Sequence, residues 1–288
     1  MYQDVTMKRV SIIGMGLMGG SLGLALKRRE LAEVHVYARR EETRQLALTM
    51  GAADAAFETP AGALRGADIT VFCLPVCSIP DVARECSPHF EPECVVTDVG
   101  STKVRLVEAM HHIFKGSRAV FVGSHPIAGS EKHGMDAARA DLYEGTMTAV
   151  TPGPDTPGHA IQVVTWLWSG VGAKVVRLAP DQHDTLIART SHLPHLVASL
   201  LATTVGRELA PSIKSFCGTG FRDSSRVASG SPEIWQDVVK TNHSAILGEL
   251  KAYGAHLTEL IHLVEAEDYQ GVHRFLESAK QARSDLLG

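Results

Sequence analysis

Three stretches of this 288-residue chain combine residue types that do chemistry together. Ser124-His125-Pro126 sets an imidazole before a proline. An imidazole titrates near neutrality, so it can take a hydroxyl proton while hydride leaves the attached carbon. Pro126 holds His125 in extended geometry, which limits where the ring can point. The chain has 14 histidines, most of which must be structural or superficial, so position alone makes His125 a candidate base and no more. His192-Leu-Pro194-His195 places two imidazoles three apart on one helix face. Pro194 removes a backbone donor and opens the turn before it. No third ligand stands at a supporting spacing, so no metal is expected. Phe221-Arg222-Asp223-Ser-Ser-Arg226 carries two arginines four apart, which could grip a carboxylate bidentately. An exposed Arg222–Asp223 pairing fits the same stretch equally well.

A fourth stretch, Gly14-Met-Gly16-Leu17-Met18-Gly19, follows an apolar run and opens a helical pattern. In that context the G-x-G-x-x-G spacing binds a dinucleotide. Gly14 permits the tight turn, Gly16 lets pyrophosphate approach the backbone, and Gly19 lets helix pack on strand. An acid at the end of the second strand would bind a ribose hydroxyl, whereas an arginine suits a 2′-phosphate. Here Tyr37-Ala38-Arg39-Arg40 has no acid before Glu41, which leans toward NADP, although arginine can stack on adenine while NAD is used. Leu74-Pro75, Asp98 to Lys103 with Ser101 at a helix cap, and Ser124-His125 end three strands where the nicotinamide should lie.

The elements that must position these groups fall into two kinds. Strand patterns at 9–13, 33–37, 68–74, 94–98, 119–124, 147–151 and 173–177 alternate with helix-length segments. Such alternation predicts a parallel, doubly wound sheet with both faces covered. After residue 180 there is no strand signal: one helix is expected over 181–209, another from Ser231-Pro232-Glu233 with its apolar stripe reaching Val264, and a last one over 269–286. The expected domains are therefore 1–180, Rossmann-like α/β, and 181–288, all-helical. The formal net charge is −4, which gives no global attraction for nucleic acid or an anionic membrane. No apolar run approaches the ~20 residues of a membrane helix, and the polar start is unlike a secretory signal, so a cytoplasmic chain is expected. The five cysteines are odd in number and read as reduced thiols.

Taken together, five stretches resemble the prephenate/arogenate (cyclohexadienyl) dehydrogenase family. They are Gly14 to Leu22, Asp98 to Lys103, Gly123-Ser-His125-Pro-Ile-Ala-Gly-Ser-Glu131, Ser191 to His195, and Gly220 to Arg226, in the family's order. The resemblance implies oxidative decarboxylation of prephenate to 4-hydroxyphenylpyruvate and/or arogenate to tyrosine, with hydride transfer to NADP or NAD, in tyrosine biosynthesis. It implies a homodimer built by an all-α C-terminal domain, with substrate between the two domains. It assigns His125 to catalysis at the ring hydroxyl with Ser101, and Arg226 to the ring carboxylate. It assigns His195 to the substrate side chain, Trp235 to the site from the partner subunit, and Glu131 to the cleft mouth. Cys217 and Thr219 depart from the small residues usual there. Two other readings compete: a two-domain reductase of the 3-hydroxyacid dehydrogenase or imine reductase type, and a non-catalytic dinucleotide sensor. The 3-hydroxyacid enzymes usually rely on a lysine in the helical domain, and none lies among His192, His195 and Arg226.

Overall fold

The structure, a computed structural model, describes residues 8–129, 132–207 and 211–288. The chain divides into two compact units, one ending at His243 and the other running from Ser244 to Gly288.

In the first unit, β1 (Lys8–Ile13), α1 (Leu17–Arg28), β2 (Ala32–Tyr37), α2 (Glu41–Thr49), β3 (Ala55–Phe57), α3 (Pro60–Leu64), β4 (Ile69–Phe72), α4 (Ile79–Cys86), β5 (Val95–Asp98), α5 (Val104–Phe114) and β6 (Val120–Phe121) follow one another. The six strands form one parallel sheet in the order β3-β2-β1-β4-β5-β6. All four residues of β4 and of β5 are buried, as a central strand covered on both faces requires. Alternate residues serve opposite faces. Ile12 and Val71 join Leu22 and Leu26 of α1 on one side, while Ile13 and Phe72 join Ile79 of α4 and Met110 of α5 on the other. Each such aliphatic side chain, wholly removed from water, contributes about 1.5–3 kcal/mol.

The single strand expected over 119–124 is two strands in two sheets. β6 ends the parallel sheet, and β7 (Gly123–Pro126) pairs antiparallel with β8 (Met147–Thr151), which pairs parallel with β9 (Lys174–Arg177). The chain leaves the first sheet at Gly123. A Cβ there would stand 2.6 Å from the Thr151 hydroxyl, so only glycine lets β8 come this close. The Ser124 N–H then donates to the Asp98 side-chain carboxylate (3.0 Å) instead of to a backbone carbonyl of β5. The segments at 147–151 and 173–177 are thus strands, but they belong to this smaller sheet. Helix α6 (Gly158–Gly170) links β8 to β9 and buries Trp168.

Beyond β9 the described residues contain no strand. The helix expected over 181–209 is broken into α7 (Pro180–Ile187), a π-helical turn at Ala188–His192, and α8 (Leu193–Val205). Pro194 lacks an N–H and its ring crowds the carbonyl four residues back, so the turn before it widens by one residue. Short helices α9 (Pro211–Phe216) and α10 (Thr219–Ser225) lead to α11 (Pro232–Thr241). Ser231 caps α11, accepting from the Ile234 N–H at 3.4 Å, and Pro232 follows as expected. The long helix expected from Ser231 to Val264 stops instead at Asn242. That residue is buried, and its amide donates to the Asp184 carbonyl at 2.8 Å, a contact that holds it out of helical geometry.

The second unit holds α12 (His243–Glu265) and α13 (Tyr269–Leu287). Asp268 caps α13 by accepting from the Gly271 N–H at 2.8 Å. Leu250, Tyr253, Leu257, Ile261 and Val264 form an apolar stripe on α12 that the single chain leaves exposed. No helix among the described residues is long and apolar enough to cross a membrane.

Candidate active site

The glycine loop lies between β1 and α1, at the carboxyl end of the sheet. Gly14 has φ +108°, open to glycine, and a side chain there would meet the Cys73 carbonyl. A Cβ on Gly19 would run into the Gly14 carbonyl. Gly16 differs: among the described residues nothing lies within 4 Å of where its Cβ would stand. It starts α1 with no side-chain cap, so the first N–H groups of that helix face an open cleft. The cleft has a volume of about 520 Å³ and is lined by Gly16, Leu17, Met18, Leu74, Pro75, Ser101 and His125, among others. Uncapped helix N–H groups over a cradle that a side chain would fill fit a pyrophosphate. Arg39 and Arg40 are exposed just past β2, outside the described lining of this cleft. The Arg44 guanidinium donates to the carbonyls of Ala38 (2.9 Å) and Arg39 (3.0 Å), which fixes that loop.

His125 stands in β7 at the edge of the same cleft, half-buried. Its Nδ1 is 2.9 Å from Nε2 of His183 on α7, and His183 Nδ1 is 2.8 Å from the Asp184 carboxylate. Asp184 also accepts from the backbone N–H groups of Lys103 (2.7 Å) and Val104 (2.9 Å) at the start of α5. Beneath the histidine, the wholly buried Lys103 ammonium is paired with the wholly buried Asp98 carboxylate and donates to the Ser124 carbonyl at 2.8 Å. Asp98 accepts in addition from the N–H groups of Gly100 (2.7 Å) and Ser124 (3.0 Å). The backbone on the N-terminal side of His125 is therefore pinned by a charged network whose polar atoms satisfy one another. Burial holds His125 well below the ordinary imidazole range, and the neighbouring His183 and Lys103 push the same way. Burial also lowers His183, opposed in part by Asp184. Both rings are neutral at neutral pH.

A second cavity of about 530 Å³ opens on the other side of His125, lined by Ser101, His125, Arg139, Ser191, His192 and Trp235, among others. His192 is buried there. Asn242 donates to its Nδ1 (3.3 Å), its Nε2 has no hydrogen-bond partner among the described residues, and burial pushes the ring down to about 4. A third cavity, about 860 Å³, is lined by His195, Trp235, Arg105 and Lys240, among others. Trp235 borders all three cavities.

The structure thus brings His125, Ser101, Trp235 and the glycine loop together. His195 lies behind Trp235, in the lining of the third cavity only. Ser101 does not cap α5; the cap is Asp184, reaching across from α7. Trp235, which the resemblance gives to the partner's site, stands against His192 and His195 of its own chain. Arg222 and Arg226 are exposed on α10 and the turn after it, outside the described lining of the three cavities. Glu131 lies outside the described residues. Sequence reasoning missed His183, Asp184, Lys103, Asn242 and Arg139. Adjacent His and Asp at a helix start were the available signal for the first two.

The family described as prephenate dehydrogenase, nucleotide-binding domain, matches residues 22–177, and prephenate dehydrogenase, dimerization domain, matches residues 179–278. The chain is 32% identical to prephenate dehydrogenase of Bacillus subtilis, covering 96% of this chain and 76% of that protein. It is 30% identical to cyclohexadienyl dehydrogenase of Zymomonas mobilis, covering 97% and 96%. Among solved structures it superposes with a TM-score of 0.91 on A. aeolicus prephenate dehydrogenase in complex with hydroxyphenyl propionate and NAD+, at 30% identity over 99% of this chain and 100% of that one. Two family matches that together span most of the chain, and relatives aligned along nearly all of it, lead to one assignment: this chain belongs to the prephenate dehydrogenase family.

Proposed function

We propose that this chain converts a cyclohexadienyl substrate, prephenate or its amino counterpart arogenate, into the aromatic product by NAD-dependent oxidative decarboxylation in tyrosine biosynthesis. The observation that carries the reading is that His125 borders both the cleft beneath the glycine loop and the adjoining 530 Å³ cavity. A coenzyme in one and a ring in the other meet at this imidazole.

The nicotinamide, when bound, supplies the hydride acceptor. The chain's own residues do the rest. Gly16, Leu17 and Met18 offer N–H groups to the pyrophosphate, and Leu74 and Pro75 wall the nicotinamide side. His125, neutral because it is buried, accepts the C4 hydroxyl proton as the C–H bond breaks. Ser101, in the lining of both cavities, orients the same hydroxyl. Loss of the C1 carboxylate as carbon dioxide then leaves the ring aromatic, so the protein need only position the substrate and take the proton. Trp235 bounds the side-chain end, and His195, which the resemblance names there, acts through the indole it stacks on. A guanidinium meets the carboxylate. Arg139 is the one among the described residues of the ring cavity, and Arg226 is the one the resemblance names. Comparing substrate KM for Arg139→Ala and Arg226→Ala, with Arg222→Ala as control, assigns it.

In this reading residues 1–180 hold the coenzyme, residues 181–288 complete the site, and the exposed stripe of α12 is covered in a homodimer. Arg39 and Arg40, with no acid between β2 and α2, favour NADP beside NAD. Steady-state kinetics with prephenate and arogenate, each crossed with NAD and NADP, test the whole. No turnover of either substrate with either coenzyme would refute the function, and a strict NAD requirement would refute the NADP preference alone.

A further inference from the structure

We propose that His183 and Asp184 are positioning residues that hold His125 in its Nδ1–H tautomer, so that an Nε2 lone pair and not an N–H faces the substrate hydroxyl. The proposal rests on the reading of His125 as the proton acceptor, and it supplies what that reading lacks. A neutral imidazole is a base on one nitrogen only, and nothing in His125 itself decides which.

The decision is made two residues away, at a carboxylate. Asp184 is almost wholly buried, and its oxygens accept from the Lys103 and Val104 N–H groups at 2.7 and 2.9 Å. These belong to the first turn of α5, so both carboxylate oxygens face backbone donors. An ionised carboxylate can only accept, so His183 must present Nδ1–H across its 2.8 Å contact. His183 is neutral, so its Nε2 is bare and can only accept in turn. Across the next contact, 2.9 Å long, His125 must therefore donate from Nδ1. The rings meet edge to face, with centroids 5.1 Å apart and planes at 72°, a geometry that suits one in-plane N–H aimed at one in-plane lone pair. Reversing the chain would require a proton on Asp184 facing two backbone N–H groups, or a lost hydrogen bond in the buried interior.

The same order serves the reaction. When Nε2 takes the hydroxyl proton, His125 becomes an imidazolium that still donates from Nδ1 to His183, and the new positive charge lies in line with the Asp184 carboxylate. No other proton need move, and none of the contacts need break.

The test uses the full chain and two sets of variants. Asp184→Asn keeps the shape and one acceptor oxygen for the start of α5, but its amide group donates to His183 Nδ1 and reverses the chain. We expect kcat to fall about 10²- to 10⁴-fold, as when the orienting acid of a catalytic triad becomes an amide, with KM for coenzyme and substrate nearly unchanged. The ¹⁵N signals of His125 should switch from the Nδ1–H to the Nε2–H pattern at pH 7.5. His183→Gln offers a carbonyl oxygen to His125 Nδ1 and should retain most of kcat, while His183→Leu should not. His125→Asn is the control for the underlying reading. An inactive His125→Asn beside a fully active Asp184→Asn, or an unswitched ¹⁵N pattern in it, overturns the positioning proposal alone. An active His125→Asn overturns the base itself. If Asp184→Asn does not fold, the His183 pair decides: equal loss in Gln and Leu overturns the proposal, and rescue by Gln upholds it.

Discussion

The imidazole of His195 lies flat on the indole of Trp235, with ring centroids 3.5 Å apart and planes 10° from parallel. His192 meets the same indole edge-on at 5.9 Å and 86°. His192, at the end of the π-helical turn, and His195, three positions on in α8, thus hold one tryptophan from α11 upright, as a wall between His125 and the cavity behind. Gly230 makes this possible, since a Cβ there would stand 2.6 Å from the indole nitrogen. We expect Trp235→Leu to raise substrate KM by about two- to tenfold, equivalent to the ~0.5–1.5 kcal/mol such ring pairs carry beyond burial. Trp235→Phe should retain most of the affinity. Steady-state kinetics of both variants provide the check, and an unchanged KM in Trp235→Leu would show that the wall is not part of the substrate site.

His125→Asn should lower kcat by about 10²–10⁴ with little change in KM, since a general base acts in the transition state and not in binding. Because burial holds His125 below the ordinary imidazole range, wild-type kcat/KM should stay level down to pH 6.5 and fall only below it, as the imidazole protonates. A pH profile from 5 to 9 on both proteins measures each effect.

Gly16 and Gly19 should respond differently to alanine. At Gly19 the methyl group collides with the Gly14 carbonyl, so overpacking should cost about 1–3 kcal/mol of stability. At Gly16 the methyl group meets no protein atom but stands where a pyrophosphate approaches. Gly16→Ala should therefore leave Tm unchanged and weaken coenzyme binding about tenfold or more, by analogy with lost anion contacts at a helix start. Thermal melts and coenzyme titrations separate the two.

Lys103→Met removes one partner of a wholly buried ion pair and leaves the Asp98 carboxylate with backbone donors alone. The cost should be about 3–5 kcal/mol. The double variant Asp98→Asn with Lys103→Met should lose less than Lys103→Met by itself, a result read from urea unfolding of the two proteins.

Acid should unfold the protein through its buried histidines. His192 is faced by Asp184, His183, His195, Asn242 and Trp235, and burial lowers it to about 4. An unfolded chain protonates the same ring near 6.5, so between those values the unfolded state binds more protons and stability falls as pH falls. The full effect of this one group is about 3 kcal/mol, reached at and below pH 4. His125 and His183 are shifted in the same direction and add to it. Urea unfolding at pH 7.5, 6 and 5 should show a progressive loss. Constant stability over that range would mean the rings are protonated without cost.

What could be read from the residues was whatever acts locally. The glycine loop, the buried strands and the Ser231 cap each carry their reason within a few positions of sequence. Contacts that join distant segments could not be read in this way. His183 gains its meaning from a ring 58 positions earlier, and Asp184 from backbone N–H groups about 80 earlier. Gly123 sends one apolar run into two sheets because of Thr151, and Asn242 ends a helix because of a carbonyl on α7. In all four cases local propensity was overruled by a tertiary partner that no period or spacing reveals.

The π-helical turn at Ala188–His192 sets an angular phase for everything after it. Each helical residue advances the side-chain direction by about 100°, so a turn that accommodates one extra residue offsets all later ones by that amount. Returning this turn to ordinary winding with all five of its residues kept would rotate His195 a quarter-turn or more off the indole, although no residue of the site itself had been touched. The winding of this five-residue stretch is thus as strict a requirement as the identity of the histidines it aims.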